Sequence, residues 1–174
     1  MKRIFLTGYM GAGKTTIGKE LAGRMHLSFI DLDVYIEARY HKTVSRLFAE
    51  KGEEGFRKIE RDMLREVAMF EDVLISTGGG APCFYDNMPF MNEAGQTVYL
   101  KVSPGELVKR LELTRHTRPV LNGKRGEELL AFVSENLEKR EAYYMQAAIV
   151  FEAEVMFTEN DVQQITGALE KVLL

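Results

Sequence analysis

The chain has 174 residues, 45% hydrophobic and 28% charged, enough for one well-buried core and too few for two. Its 23 basic and 26 acidic residues are interspersed and leave a net charge of −3, which excludes a global field drawing in nucleic acid or an anionic membrane surface. The single cysteine, Cys83, excludes an intramolecular disulfide framework, and no segment approaches the roughly 18 apolar residues of a membrane span.

The opening MKRIFLTGYM has too short an apolar stretch for a signal peptide, so a reducing, cytoplasmic setting is expected. RIFLT (3–7) reads as a buried strand, followed by a helix with Ile17, Leu21 and Met25 on one stripe. LSFID (27–31) is a second strand. From Val34 to Phe70 the pattern is helical, interrupted near His41–Thr43 and near Gly52, with Phe56, Ile59, Met63 and Val67 forming the apolar face of the last piece. DVLIST (72–77) is a third strand running into Gly78, Gly79 and Gly80, after which Cys83 reads as a small packing residue in a loop. QTVYLKV (96–102) is a fourth strand, and Ser103-Pro104 opens a helix that ends near Leu113. TRHTRPVLNGKRG has no periodicity and reads as a mobile loop. A long helix follows to about Ala147, VMFT (155–158) reads as a fifth strand, and Thr158-x-x-Asp161 opens the last helix as a capping box. Strands alternating with helices in this way predict a parallel sheet covered on both faces.

Gly8-x-x-x-x-Gly13-Lys14-Thr15 fits G-x-x-x-x-G-K-[ST] between the first strand and its helix. Glycines let successive N–H groups turn toward phosphate oxygens, and the helix N-terminus adds its positive end. Lys14 would reach the terminal phosphates and the Thr15 hydroxyl would hold magnesium. A lysine in the first turn opposes the helix dipole, so an anion is expected there. Asp31 and Asp33, two apart at the end of the second strand, either face the crevice beyond the sheet or cap the next helix. Gly78–Gly80 either admit a ligand against bare backbone or only turn the chain before Pro82. Arg57, four residues after Glu53, reads equally as a surface pair, and Arg140 as one more charge on a long helix. Arg115, Arg118, Lys124 and Arg125 are either a solvated run or a lid that brings positive charge over a nucleotide and excludes water.

Taken in order, GYMGAGKTT, DLD, FRKIE, TGGG, RP in the loop and KRE on the long helix resemble the shikimate kinase family over nearly the whole chain. The resemblance implies a three-layer α/β/α fold with a five-stranded parallel sheet: one P-loop kinase domain over 1–174, substrate-binding helices at about 34–62 and a mobile lid at about 112–126. It implies ATP with Mg2+, shikimate as acceptor, and a monomer with neither nucleic acid nor membrane as partner. Residue by residue, Gly11, Ala12, Gly13, Lys14, Thr15 and Thr16 would hold the nucleotide phosphates, with Thr15 and Asp31 at the metal. Asp33 would bind the ring hydroxyls and assist the one that attacks. Arg57 and Arg140 would clamp the substrate carboxylate, Gly78–Gly80 would offer backbone to the substrate, Arg118 would swing onto the phosphates, and Arg110 would stack on adenine. The chain departs from the family pattern after Arg140, where EAYYMQAA stands in place of an expected leucine before the tyrosine and a later acidic residue. A kinase for another small hydroxy acid, such as gluconate, is the nearest alternative. A GTP switch lacks its Asn-Lys-x-Asp segment here.

Overall fold

A computed structural model of the chain describes residues 1–114, 123–154 and 158–174. Its centre is a five-stranded sheet built from β1 (Arg3–Thr7), β2 (Ser28–Asp31), β3 (Val73–Ser76), β4 (Gln96–Lys101) and β5 (Ile149–Glu152). The spatial order is β2-β3-β1-β4-β5 and every pairing is parallel. Ile4, Phe5, Leu6 and Thr7 of the central strand are all buried, because helices cover both faces and leave no solvent side for alternation to mark. At the β5 edge alternation returns, with Val150 and Glu152 exposed.

The helices are α1 (Lys14–Arg24), α2 (Leu32–Tyr40), α3 (Val44–Val67), α4 (Asn87–Ala94), α5 (Pro104–Thr114), α6 (Gly126–Tyr144) and α7 (Glu159–Leu173). Of the expected stripes, Ile17 and Leu21 on α1 and Phe56, Ile59, Met63 and Val67 on α3 are buried, while Met25 caps the end of α1 and is only partly buried. The break near His41 separates α2 from α3, where His41 takes a left-handed conformation and the Thr43 side chain caps α3. Gly52 bends α3 with φ 69° and ψ 176°. The capping box of Thr158 and Asp161 is formed in full.

Three expectations are corrected. The described fifth strand is IVFE, earlier in the chain than the expected VMFT, of which residues 155–157 lie outside the described residues. Asp33 is not in line with the second strand, since α2 begins at Leu32 and takes Asp33 into its first turn. After Gly80, where the sequence places Cys83 in a loop, the chain forms a 3-10 turn over Ala81–Cys83 and then α4. Cys83 is partly buried against the core, and burial pushes its thiol up to about 11, as suits a packing residue. The lid expected at about 112–126 falls mainly on residues 115–122, and with them Arg115 and Arg118 lie outside the described residues.

Candidate functional site

The C-terminal ends of β1, β2 and β3 open on one cavity of about 1090 Å3. In an open parallel sheet this rim is where loops diverge and a ligand finds room. After β1 the chain turns through Gly11 and Gly13, whose φ values of 85° and 95° are left-handed and favour glycine. Gly13 is the N-cap of α1, with no side-chain cap and no acidic residue in the first turn. A helix N-terminus left in that state is suited to an anion. The Lys14 Nζ is held over the loop, donating to the carbonyls of Gly8 at 2.7 Å and Tyr9 at 2.9 Å. Gly11, Gly13, Lys14, Thr15 and Thr16 line the cavity, while Ala12 is buried beneath the loop.

Asp31 resolves its two readings by doing both. Its Oδ1 accepts from the Asp33 and Val34 N–H groups as the cap of α2, and its Oδ2 accepts from Thr15 Oγ1 at 3.2 Å. These hard oxygens at the mouth of a phosphate-binding loop fit magnesium, which keeps several waters and needs few protein ligands. Among the described residues no group of three or more His, Cys, Asp or Glu could hold a metal on protein ligands alone. Asp33 reaches the same cavity from the first turn of α2. Burial and then the neighbouring Asp31 raise its carboxyl above the usual range, against the pull of Lys14.

Arg57 is no surface residue. It is 8% exposed, and its guanidinium lies 4.2 Å from the centre of the Phe84 ring and 5.5 Å from those of Phe48 and Phe56. The Glu53 pair exists at 3.6 Å, but Arg57 Nη1 donates to Glu60 Oε1 at 2.8 Å, on the buried side. Arg140 likewise faces inward from α6, half-buried over the Tyr9 ring at 5.5 Å. The glycine run fits between these charges. A Cβ on Gly78 would stand 3.1 Å from Glu60 Oε2 and 3.2 Å from Asp33 Oδ1, one on Gly79 3.4 Å from Arg140 Nη1, and one on Gly80 2.5 Å from Arg57 Nη2. Close approach of side chains to bare backbone, rather than a turn alone, accounts for three successive glycines.

Arg110 lines the cavity but is bound on several sides. It pairs with Glu106 at 3.1 Å, and donates to the carbonyls of Gly11, Ala12, Ala153 and Glu154. It therefore ties the phosphate loop to the segment after β5, a role its position in the sequence does not reveal.

Glu60 is the site residue that the sequence reading missed. It is 1% exposed, and burial pushes it up to about 7 despite Arg57. The available signal was its register: three residues after Arg57, it falls on the stripe of Phe56, Ile59 and Met63, where an acid is out of place without a partner.

A shikimate kinase family model matches residues 10–170. The shikimate kinase of Parabacteroides distasonis is 70% identical over 173 residues, covering 99% of this chain and all of that one. The shikimate kinase of Bacteroides thetaiotaomicron is 54% identical, and its crystal structure superposes with a TM-score of 0.96 over 99% of this chain and 98% of that one. A shikimate kinase from Acinetobacter baumannii, solved in complex with shikimate, superposes with a TM-score of 0.84 at 29% identity, covering 99% of this chain and 93% of that one.

Proposed function

The chain belongs to the shikimate kinase family, and from that premise we propose that it transfers the terminal phosphate of ATP to the 3-hydroxyl of shikimate, giving shikimate 3-phosphate and ADP on the route to chorismate. The observation that carries the choice of acceptor is the pair of guanidiniums, Arg57 from α3 and Arg140 from α6, flanking consecutive glycines beside Asp33 in the cavity that also holds the phosphate loop. Two planar forks from different elements suit one planar carboxylate better than lysines would.

The backbone of residues 11–16 and the N-terminus of α1 bind the nucleotide phosphates, and Lys14 brings a cation to the terminal ones. Thr15 and Asp31 are the residues that would hold magnesium, which when bound neutralises charge on the phosphates. Arg57 and Arg140 fix the acceptor by its carboxylate, and Gly78–Gly80 let the ring lie against backbone. Asp33 orients the attacking hydroxyl and takes its proton. Its raised pKa makes it a stronger base than a solvated aspartate. Little else is required, because phosphoryl transfer depends on alignment and on cations around the developing charge. The chain is proposed to act as one kinase domain over 1–174, a monomer in the cytoplasm.

A coupled assay of ADP release with shikimate, gluconate or no acceptor tests the reading. ADP release that depends on shikimate supports it; equal or greater turnover with gluconate, or release independent of acceptor, overturns it.

A further inference from the structure

We infer that Tyr144 is a positioning residue for the acceptor site: its hydroxyl holds the Gly79 backbone and the Arg140 guanidinium in one fixed relation, so that the carboxylate clamp is set before the acceptor arrives. This rests on the reading of Arg57 and Arg140 as that clamp.

Tyr144 is the last residue of α6 and is completely buried. It lies four residues after Arg140, on the same face of the helix. Its hydroxyl donates to the Gly79 carbonyl. A phenol has one proton and two lone pairs, so with its proton on Gly79 the oxygen keeps acceptor capacity toward the Arg140 guanidinium, with which it interacts electrostatically. Burial raises the phenol far above its usual range, against the pull of Arg140, which keeps it a donor wherever the protein is folded.

Gly79 is the point at which a small displacement matters most. A Cβ placed there would stand 3.4 Å from Arg140 Nη1, 3.4 Å from the Met10 nitrogen and 3.5 Å from the Gly8 carbonyl oxygen. The glycine run thus touches the clamp on one side and the phosphate loop on the other.

The Tyr144 ring is held in turn. The ring of Tyr99, from β4, lies 5.0 Å away at 30°, and Tyr99 donates to Glu141 Oε2 at 2.7 Å. Glu141 follows Arg140 directly and also pairs with Lys101 of β4 at 3.6 Å. The end of α6 is therefore pinned to β4 through Glu141 and to the loop after β3 through Tyr144, and Arg140 stands directly before Glu141 on that anchored turn. Tyr143, which stands where the family resemblance leads one to expect leucine, is 39% exposed and contributes none of these contacts.

The test is Tyr144→Phe, which keeps the ring and removes the hydroxyl, with Tyr143→Phe as the control. Each is assayed with shikimate and with its carboxamide, in which the carboxylate is neutral. For Tyr144→Phe the KM for shikimate should rise about tenfold, with the KM for ATP within twofold of wild type, and the penalty should vanish with the carboxamide. Tyr143→Phe should match wild type. Equal penalties on both acceptors overturn the inference alone, as do an unchanged shikimate KM, parallel changes in both KM values, or a Tyr144→Phe that fails to fold. A wild-type enzyme that uses the carboxamide as well as shikimate overturns both the clamp and the inference.

Discussion

Gly80→Ala separates the geometry of the acceptor site from the stability of the fold. Gly80 has φ −87° and ψ −17°, which alanine adopts without strain. The added Cβ would stand 2.5 Å from Arg57 Nη2, 2.7 Å from Nη1 and 2.8 Å from Cζ. To reach ordinary contact the guanidinium must retreat by about 1 Å. It is the end of a flexible side chain, so the backbone need not move. Its remaining sides, however, are taken by Glu60 at 2.8 Å and the Phe84 ring at 4.2 Å. A charge-assisted hydrogen bond contributes about 1.5–3 kcal/mol, so losing the alignment on the acceptor carboxylate should raise the shikimate KM by roughly 10- to 150-fold. Stability should change by no more than about 1 kcal/mol, since alanine also reduces the freedom of the unfolded chain. Initial rates with shikimate varied at saturating Mg-ATP, then with ATP varied, and melting curves measure each term. A wild-type shikimate KM in a protein of wild-type Tm would refute the placement of Arg57 against the acceptor.

Glu60 binds its proton more tightly in the folded protein, with a pKa of about 7, than in the unfolded chain, near 4.5. Its contribution to stability is therefore full below pH 4.5 and lost as pH rises to 7, at most ~3 kcal/mol. Glu60→Gln should flatten the dependence of Tm on pH in that window, and an unchanged slope would exclude Glu60 as the titrating group. Asp33→Asn should lower kcat by about 100-fold or more while leaving the KM for ATP near wild type. Because the Asp33 charge helps hold Glu60 protonated, the same variant should shift the midpoint of the stability profile to lower pH, as melts across pH would show. Thr15→Val removes the hydroxyl bonded to Asp31 and should raise the magnesium requirement about tenfold with the shikimate KM unchanged, as read by magnesium titration at fixed ATP.

The strands were legible wherever local pattern and burial coincide. RIFLT and DVLIST are apolar because central strands are covered on both faces; LSFID stands at an edge of the sheet and is only partly buried, yet Leu27, Phe29 and Ile30 still mark it, and each of the three lies within a residue of the observed strand. IVFE escaped notice because an edge strand is half exposed, and its mixed sequence runs on from α6 without a turn signal. The phosphate loop was legible for another reason: its function resides in a contiguous stretch of backbone, so spacing alone carries the chemistry.

Asp31 and Asp33 show where local reading stops. Strand alternation was the reason for placing both carboxylates on one side; the actual reason is that a helix begins between them, so that one caps it and the other projects from its first turn. The alternating architecture, the phosphate loop, the capping box and the identity of the charged residues all follow from local pattern. That Arg57 is buried, with Glu60 as its inner partner beside the outer Glu53, that Arg110 binds backbone carbonyls, and that Tyr144 reaches Gly79 emerge only when the chain is folded. Those contacts join residues far apart in the chain, or turn on which face of a helix is covered. No local pattern encodes either, because burial and the pKa shifts it causes arise only when distant elements close over the same cavity.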